Sequence, residues 1–216
     1  MSQIIPPGDW AIETLALPAA EPMTLATAKL QCRVPTAITE YDALLSDAIS
    51  AARNYIESTF AIYLAKQRVR ITFASFPQGD RFRLPVWPIQ TIDAMDYVTA
   101  DGVAHFLNVG EVDTVPVPDV IARLWRKPAE MVLPFAHIWP PATLQIGGAI
   151  RISATVGFIT GSPELLPMPA AALQAMKLLI GHAYMNGSAV TIGSLQKSDP
   201  LALGVRDMMA NLRLWA

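Results

Sequence analysis

Leu45, Ile49, Ala52, Ile56 and Phe60 recur at i, i+4, i+7, i+11 and i+15 within "TAITEYDALLSDAISAARNYIESTFAIYL" (36–64), one apolar stripe along a long helix. Thr39, with Asp42 three residues on, reads as a capping pair at its start, and Asp42, Asp47, Arg53 and Glu57 lie off the stripe. Such a stripe must be covered. A short helix within "TLATAKLQCRV" (24–34), stopped by Pro35, offers little surface. The matching long helix comes far downstream: Pro169 suits a first helical position, Ala172, Met176, Leu179 and Ala183 form one row, and Leu173, Ile180 and Tyr184 flank it. Gly187 is a good stop. A polar loop (186–198) then leads to a last helix in "LALGVRDMMANLRLWA".

Between the helices the period changes from 3.6 to 2. "RVRITFASF" (68–76) alternates arginine or threonine with Val69, Ile71 and Phe73, as a half-buried strand does. Two prolines bracket Val86-Trp87, and "IQTIDAMDYV" (89–98) reads as a second strand. Ala100-Asp101-Gly102 makes a hairpin turn into "HFLNV" (105–109), since Asp and Gly tolerate positive φ. Residues 110–120 read as loop. "VIARLW" (120–125), "AEMVLPF" (129–135) and "AIRISATVGF" (149–158) complete a β-unit of about five to seven strands. The fold class is therefore α+β: a helical bundle formed by N- and C-terminal helices with an inserted small β-unit. The expected division is an extended arm at 1–23, rich in proline, a first helical part at 24–66, the β-unit at 67–160, and a second helical part with the C-terminal tail at 161–216.

Composition sharpens the question of what covers the surface. Hydrophobic residues make up 52% of the 216 residues and charged residues 16%, against a usual charged share of about 25%; mean hydropathy is +0.34. No uninterrupted apolar run reaches the roughly 20 residues of a membrane span, because prolines break 131–142 and Gln174, Lys177 and His182 interrupt 169–185. Two explanations of the excess remain on composition: apolar surface buried against other chains, which is the reading taken here, or one unusually apolar core. With a net charge of −2 and scattered arginines, the chain lacks the basic face that nucleic-acid binding needs. The N-terminal residues lack the charged start and apolar run of a signal peptide, and the lone Cys32 forms no intrachain disulfide and fits a reducing compartment.

Chemistry is scarce. His105, His137 and His182 belong to no metal-ligand spacing; His182 reads as structural and His137, beside Trp139, as packing or interface. Cys32 reads as a small buried hydrophobe, with no histidine nearby in sequence. No GxSxG, phosphate loop or dinucleotide fingerprint occurs, and the pairs Asp93/Asp96 and Glu111/Asp113 read as solvated carboxylates. No enzyme, cofactor or metal is expected.

Taken in order, "TLATAKLQCRV", "DALLSDAISAARNYIESTFAIYLAKQRVRITFASFP", "LPVWPIQTIDAMDYVTADG", "IRISATVGFITGSPELLPMPAAALQAMKLLIGHAYMN" and "DPLALGVRDMMANLRLW" resemble the successive segments of the tailed-phage head–tail connector (head-completion adaptor) family, also found in gene-transfer particles. The resemblance runs over residues 24–215, with Asn186-Gly187 where the family has Asn-Arg and no counterpart for 110–145. It implies a virion protein made in the bacterial cytoplasm and placed at the head–tail junction, or neck. There it would form a homo-oligomeric ring, expected to be a dodecamer, between the portal protein and a stopper or tail-terminator protein. DNA would pass through the lumen without sequence-specific binding, and no membrane is involved. Under that resemblance, Arg206, Arg213, Leu214 and Trp215 are the expected portal-docking residues, since tryptophan and arginine are enriched in interface hot spots. Trp87, Trp125 and Trp139 are expected at a ring or neighbour-ring interface. Two alternatives stand beside this: another tail-completion or minor capsid structural protein, or a glycan-binding β module using the same three tryptophans for stacking.

Overall fold

The computed structural model describes residues 10–110, 118–124, 128–158, 168–185 and 200–210, with backbone alone at 200–203. The chain is α+β, with four helices and two sheets among these residues. It divides into two compact units: Met1–Ala19 with Lys66–Gly157, and Ala20–Ala65 with Phe158–Ala216.

The first unit holds all the described strands. Its larger sheet joins β1 (Trp10–Ala16), β2 (Gln67–Phe73), β9 (Ile150–Val156), β4 (Ile89–Val98) and β5 (Ala104–Leu107), in that spatial order and antiparallel throughout. The period-two pattern does what it predicts. Val69, Ile71, Phe73, Ile150, Ile152, Ala154 and Val156 are buried on one face. The opposite face carries cross-strand ion pairs: Arg70 with Glu13, Arg151 with Asp96, each directly opposed in register, and Arg68 with Asp93. The β4–β5 turn closes as the Asp-Gly step requires, with Gly102 at φ +83° and its N–H donated to the Thr99 carbonyl at 2.8 Å. A second sheet orders β3 (Arg81–Arg83), β8 (Glu130–Val132), β7 (Val120–Arg123) and β6 (Val109–Gly110), with β6 and β7 parallel. The described strands between residues 67 and 157 number eight, in two sheets, where about five to seven strands were expected. Residues 10–16, within the stretch expected as an arm at 1–23, form a strand held by β2, with pairing from Trp10↔Phe73 to Ala16↔Arg68.

The second unit contains α1 (Leu25–Gln31), α2 (Asp42–Phe60), α3 (Ala170–Met185) and α4 (Pro200–Met209). α2 packs on α1 and α3, α1 also on α3, and α3 on α4. Leu45, Ile49, Ala52, Ile56 and Phe60 are all buried. On α3 the buried side chains are Ala172, Ala175, Met176 and Ile180, so the buried row turns away from Leu179 and Ala183 toward the N-terminal half.

One expectation about α2 needs correction. It begins at Asp42, not directly after a Thr39 cap, and its N-cap is Tyr41, which makes no side-chain cap. The cause is Lys29, 4% exposed, whose Nζ donates to the carbonyls of Thr36 (3.2 Å) and Ile38 (2.8 Å) and lies 2.5 Å from Asp42 Oδ1. Those carbonyls face a buried ammonium instead of starting a helix, and Asp42 serves the same cation. Thr39 contributes its carbonyl, which accepts from the Asp42 N–H at 3.1 Å.

Arg53 lies off the apolar stripe and is nonetheless buried, 7% exposed. Its Nε donates to Glu21 Oε2 at 2.8 Å, and one terminal nitrogen donates to Glu57 Oε2 and Asn54 Oδ1, both at 2.9 Å. Burial alone lowers the affinity of the guanidinium for its proton, but hydrogen bonds and charge from Glu21 and Glu57 outweigh it and hold the pKa above the usual arginine value. Glu57 then caps the far end of the helix: its Oε1 accepts from the N–H groups of Leu64 (2.8 Å) and Ala65 (3.2 Å), just past Ala61 in the left-handed conformation at φ 54°.

The same carboxylate reaches Tyr63. Burial pushes this phenol up to about 12, and the negative charge of Glu57 adds to the shift. The unfolded chain releases the proton near 10 and the folded chain keeps it to about 12, so in that window the folded state binds more protons and stability falls as pH rises. The contribution is intact below pH 10 and lost above pH 12. Between about pH 9 and pH 12 the wild type should therefore lose about 2–3 kcal/mol more than Tyr63→Phe, read from urea midpoints. Equal losses in the two proteins would remove Tyr63 as the cause.

Candidate functional site

The described residues hold no group of three or more His, Cys, Asp or Glu side chains able to bind a metal ion. The individual candidates are occupied elsewhere. The His105 ring stacks on Tyr97 with centroids 5.1 Å apart. His137 Nδ1 sits 3.1 Å from the Phe135 carbonyl oxygen, and His182 is exposed on α3. Cys32 is buried, and burial raises its pKa, which disfavours the reactive thiolate. Asp93 and Asp96 are not the free, solvated pair the sequence suggests. Arg68 Nε donates to Asp93 at 3.0 Å, with Thr91 and Thr155 also donating, while Arg151 places two nitrogens on Asp96 Oδ2 at 2.7 and 2.5 Å. Carboxylates neutralised across a sheet are poor acid–base catalysts. Glu111 and Asp113 lie outside the described residues.

The residues singled out for contact with other proteins fall in three places. Arg206 is on α4 and exposed, while Arg213, Leu214 and Trp215 lie outside the described residues, as does Trp125. Trp87 is buried, 9% exposed, and followed by a cis peptide bond to Pro88. Trp139 is half-buried. Its ring stacks on Phe76 (centroids 5.2 Å, planes 13° apart) and meets Phe82 edge-on, and its indole N–H donates to the Gly79 carbonyl at 2.8 Å. Within the β-unit Trp139 thus belongs to an aromatic cluster with Phe73, Phe76, Phe82 and Tyr97. One face and the N–H are committed to the chain itself, which leaves little of either tryptophan for a sugar.

The exposed apolar residues are other ones. In the β-unit, Phe135 (98% exposed), Ile146, Ile138 and Phe106 stand in solvent. Phe135 and Ile138 flank a turn held by the His137 N–H bond to the Pro134 carbonyl, with Ala136 at φ 64°. In the helical unit, Leu30, Leu44, Tyr55 and Met185 are exposed. The sequence signal for Leu44 and Tyr55 was present in the spacing Leu44, Ala48, Ala51, Tyr55, a second apolar row beside the buried one, but alanines weaken it.

The described residues thus form a two-unit α+β chain with large apolar side chains in solvent. Its fold recurs in solved particles. The chain matches one from the neck of an empty GTA particle computed with C6 symmetry, at 21% identity and TM-score 0.67, covering 94% of this chain and 95% of that one. It matches one from the virion of a native gene transfer agent (GTA) particle, at 22% identity and TM-score 0.67, over 94% of each. A third, from the neck of a native GTA particle computed with C12 symmetry, gives 22% identity and TM-score 0.64, again over 94% of each. At these identities the shared property is the fold, over 94% of this chain. No protein-family model and no curated protein matches the sequence.

Proposed function

We propose that this chain is a structural neck protein, the head–tail connector (adaptor) subunit of a phage or gene-transfer particle, without catalytic activity. It forms a ring, expected to be twelvefold, beneath the portal and joins the DNA-filled capsid to the tail through a stopper or tail-terminator protein. The observation that carries the reading is the full-length fold likeness to chains in GTA particle necks. The ordered sequence resemblance over residues 24–215 supports it independently, and the C6 and C12 symmetries of those necks fit a protein whose apolar side chains stand uncovered in a single copy.

In this reading the helices of parts 24–66 and 161–216 act as one bundle that carries the C-terminal tail to the portal, and the insert at 67–160 offers a separate surface to a neighbouring ring. Retention of passing DNA would rise with each lysine or arginine contact to phosphate; a net charge of −2 keeps the lumen non-adhesive. Arg206, Arg213, Leu214 and Trp215 dock to the portal. Deleting residues 211–216 should abolish portal binding in a pull-down while leaving the circular-dichroism melt unchanged; full binding by the truncated protein would refute the docking role.

The decisive experiment is a cryo-EM reconstruction of the particle neck. A ring of this chain on the portal axis is the expected result. Density for it elsewhere on the particle would favour a tail-completion or minor capsid role, and its absence from particles would end the structural reading.

A further inference from the structure

We infer that the outward row of α2, formed by Leu44, Ala48, Ala51 and Tyr55, is a surface through which one copy of this chain binds the next around the ring axis; the inference rests on the connector reading above. The row follows helical spacing, i, i+4, i+7 and i+11, and lies beside the buried row, not within it. Leu44 is 53% exposed and Tyr55 43% exposed, with Ala51 exposed and Ala48 half-buried between them.

The rest of the helix surface gives the second observation. Among the exposed positions of α2, Asp47 is the one formal charge; the others are Ala, Leu, Ser, Asn, Tyr and Thr. Arg53 and Glu57, which would otherwise charge it, are turned inward on each other. A helix with one face buried ordinarily carries charge on the remainder. Loss of charge with aromatic and aliphatic side chains retained is the composition of an interface centre, where each charge would have to be desolvated. The two alanines between larger end residues let another backbone approach closely.

A second copy is the occupant that fits. Chains of this fold sit in necks computed with C12 and C6 symmetry, and rotation places a neighbour on both sides of every subunit. Such contacts are head-to-tail and join two different patches, so the row need not be complementary to itself. DNA fits poorly, because no exposed position on α2 is lysine or arginine.

The test places a photo-reactive phenylalanine analogue at Tyr55, or at Ser46 as a control exposed on the far side of the buried row, in cells producing the particles. Purified particles are irradiated, and products are mapped by mass spectrometry. A covalent dimer of this chain from position 55 and not from 46 is expected. A product with the portal or another virion protein, a link to the chain's own residues 186–199, or no product from particles that contain the chain would overturn the inference and leave the connector reading standing. Particles lacking the chain would sink both. As an independent check, Leu44→Glu with Tyr55→Glu should lower incorporation into particles by at least about thirtyfold, with an unchanged melt of the isolated protein; undiminished incorporation would likewise overturn the inference.

Discussion

Arg53→Met is expected to destabilise the protein by about 3–5 kcal/mol, because it strips the cation from a network in which the Glu57 carboxylate is buried and Glu21 partly so. The Glu57 side chain is 10% exposed and the Arg53 side chain 8%, so water cannot replace the lost bonds. Methionine matches the aliphatic stem in length, which isolates the effect of the charge from that of packing. The loss extends beyond one pair. Arg53 holds Glu21, itself bonded by the Ser50 hydroxyl at 2.9 Å, and it orients the Glu57 carboxylate that receives the Leu64 and Ala65 N–H groups. Urea denaturation should show the midpoint falling accordingly. Combining Arg53→Met with Glu57→Gln should recover part of the loss, since removing both charges leaves less buried and unpaired than removing one. A single-variant cost below about 1 kcal/mol would assign the network the energy of a surface ion pair.

Phe82→Ala should have an effect of similar size in the β-unit, about 3–5 kcal/mol. Phe82 is 1% exposed and contacts Phe73 edge-on at 4.4 Å and Trp139 at 5.7 Å. Truncation opens a void between strands β2 and β3 and removes one wall of the Trp139 site. Phe82→Leu keeps most of the volume and should cost less than about 1.5 kcal/mol. The near-ultraviolet circular dichroism of the aromatic cluster should drop in the alanine variant before the thermal midpoint is reached. An alanine variant as stable as the leucine variant would show that the cluster repacks around the void.

Periodic segments were legible and non-local choices were not. β4 spans Ile89–Val98 as the alternation suggests, and the α2 stripe is buried at each of its five positions. β1 escaped because its partner lies far away in sequence, at Trp10↔Phe73, and because an edge strand with mostly exposed residues carries no alternation to detect. β3, three residues long, is too short for any period. The start of α2 was misplaced because a buried lysine on another helix competes for the carbonyls and the carboxylate that would otherwise open it. Helical spacing places Arg53 off the stripe, but it does not say that Glu21 returns from upstream to cover it. The same limit applies to the tryptophans. Of Trp87, Trp125 and Trp139, expected at an interface, Trp87 is buried in the single chain and Trp139 stacks on Phe76, contacts that spacing along the sequence does not reveal. Among the described residues, Phe135, Ile138, Leu44 and Tyr55 are large apolar side chains that stand exposed.

The order of strands in the larger sheet also bears on how the protein is made. β9, last of the nine to leave the ribosome, lies between β2 and β4, which do not touch each other in the sheet without it. A nascent chain stopped before Ile150 already holds all four strands of the second sheet, but of the larger sheet it has only two separate antiparallel pairs, while α2 still waits for α3 to be synthesised. At about 5–20 residues per second the growing polypeptide spends several seconds with both apolar surfaces open, long enough for chaperone capture to matter.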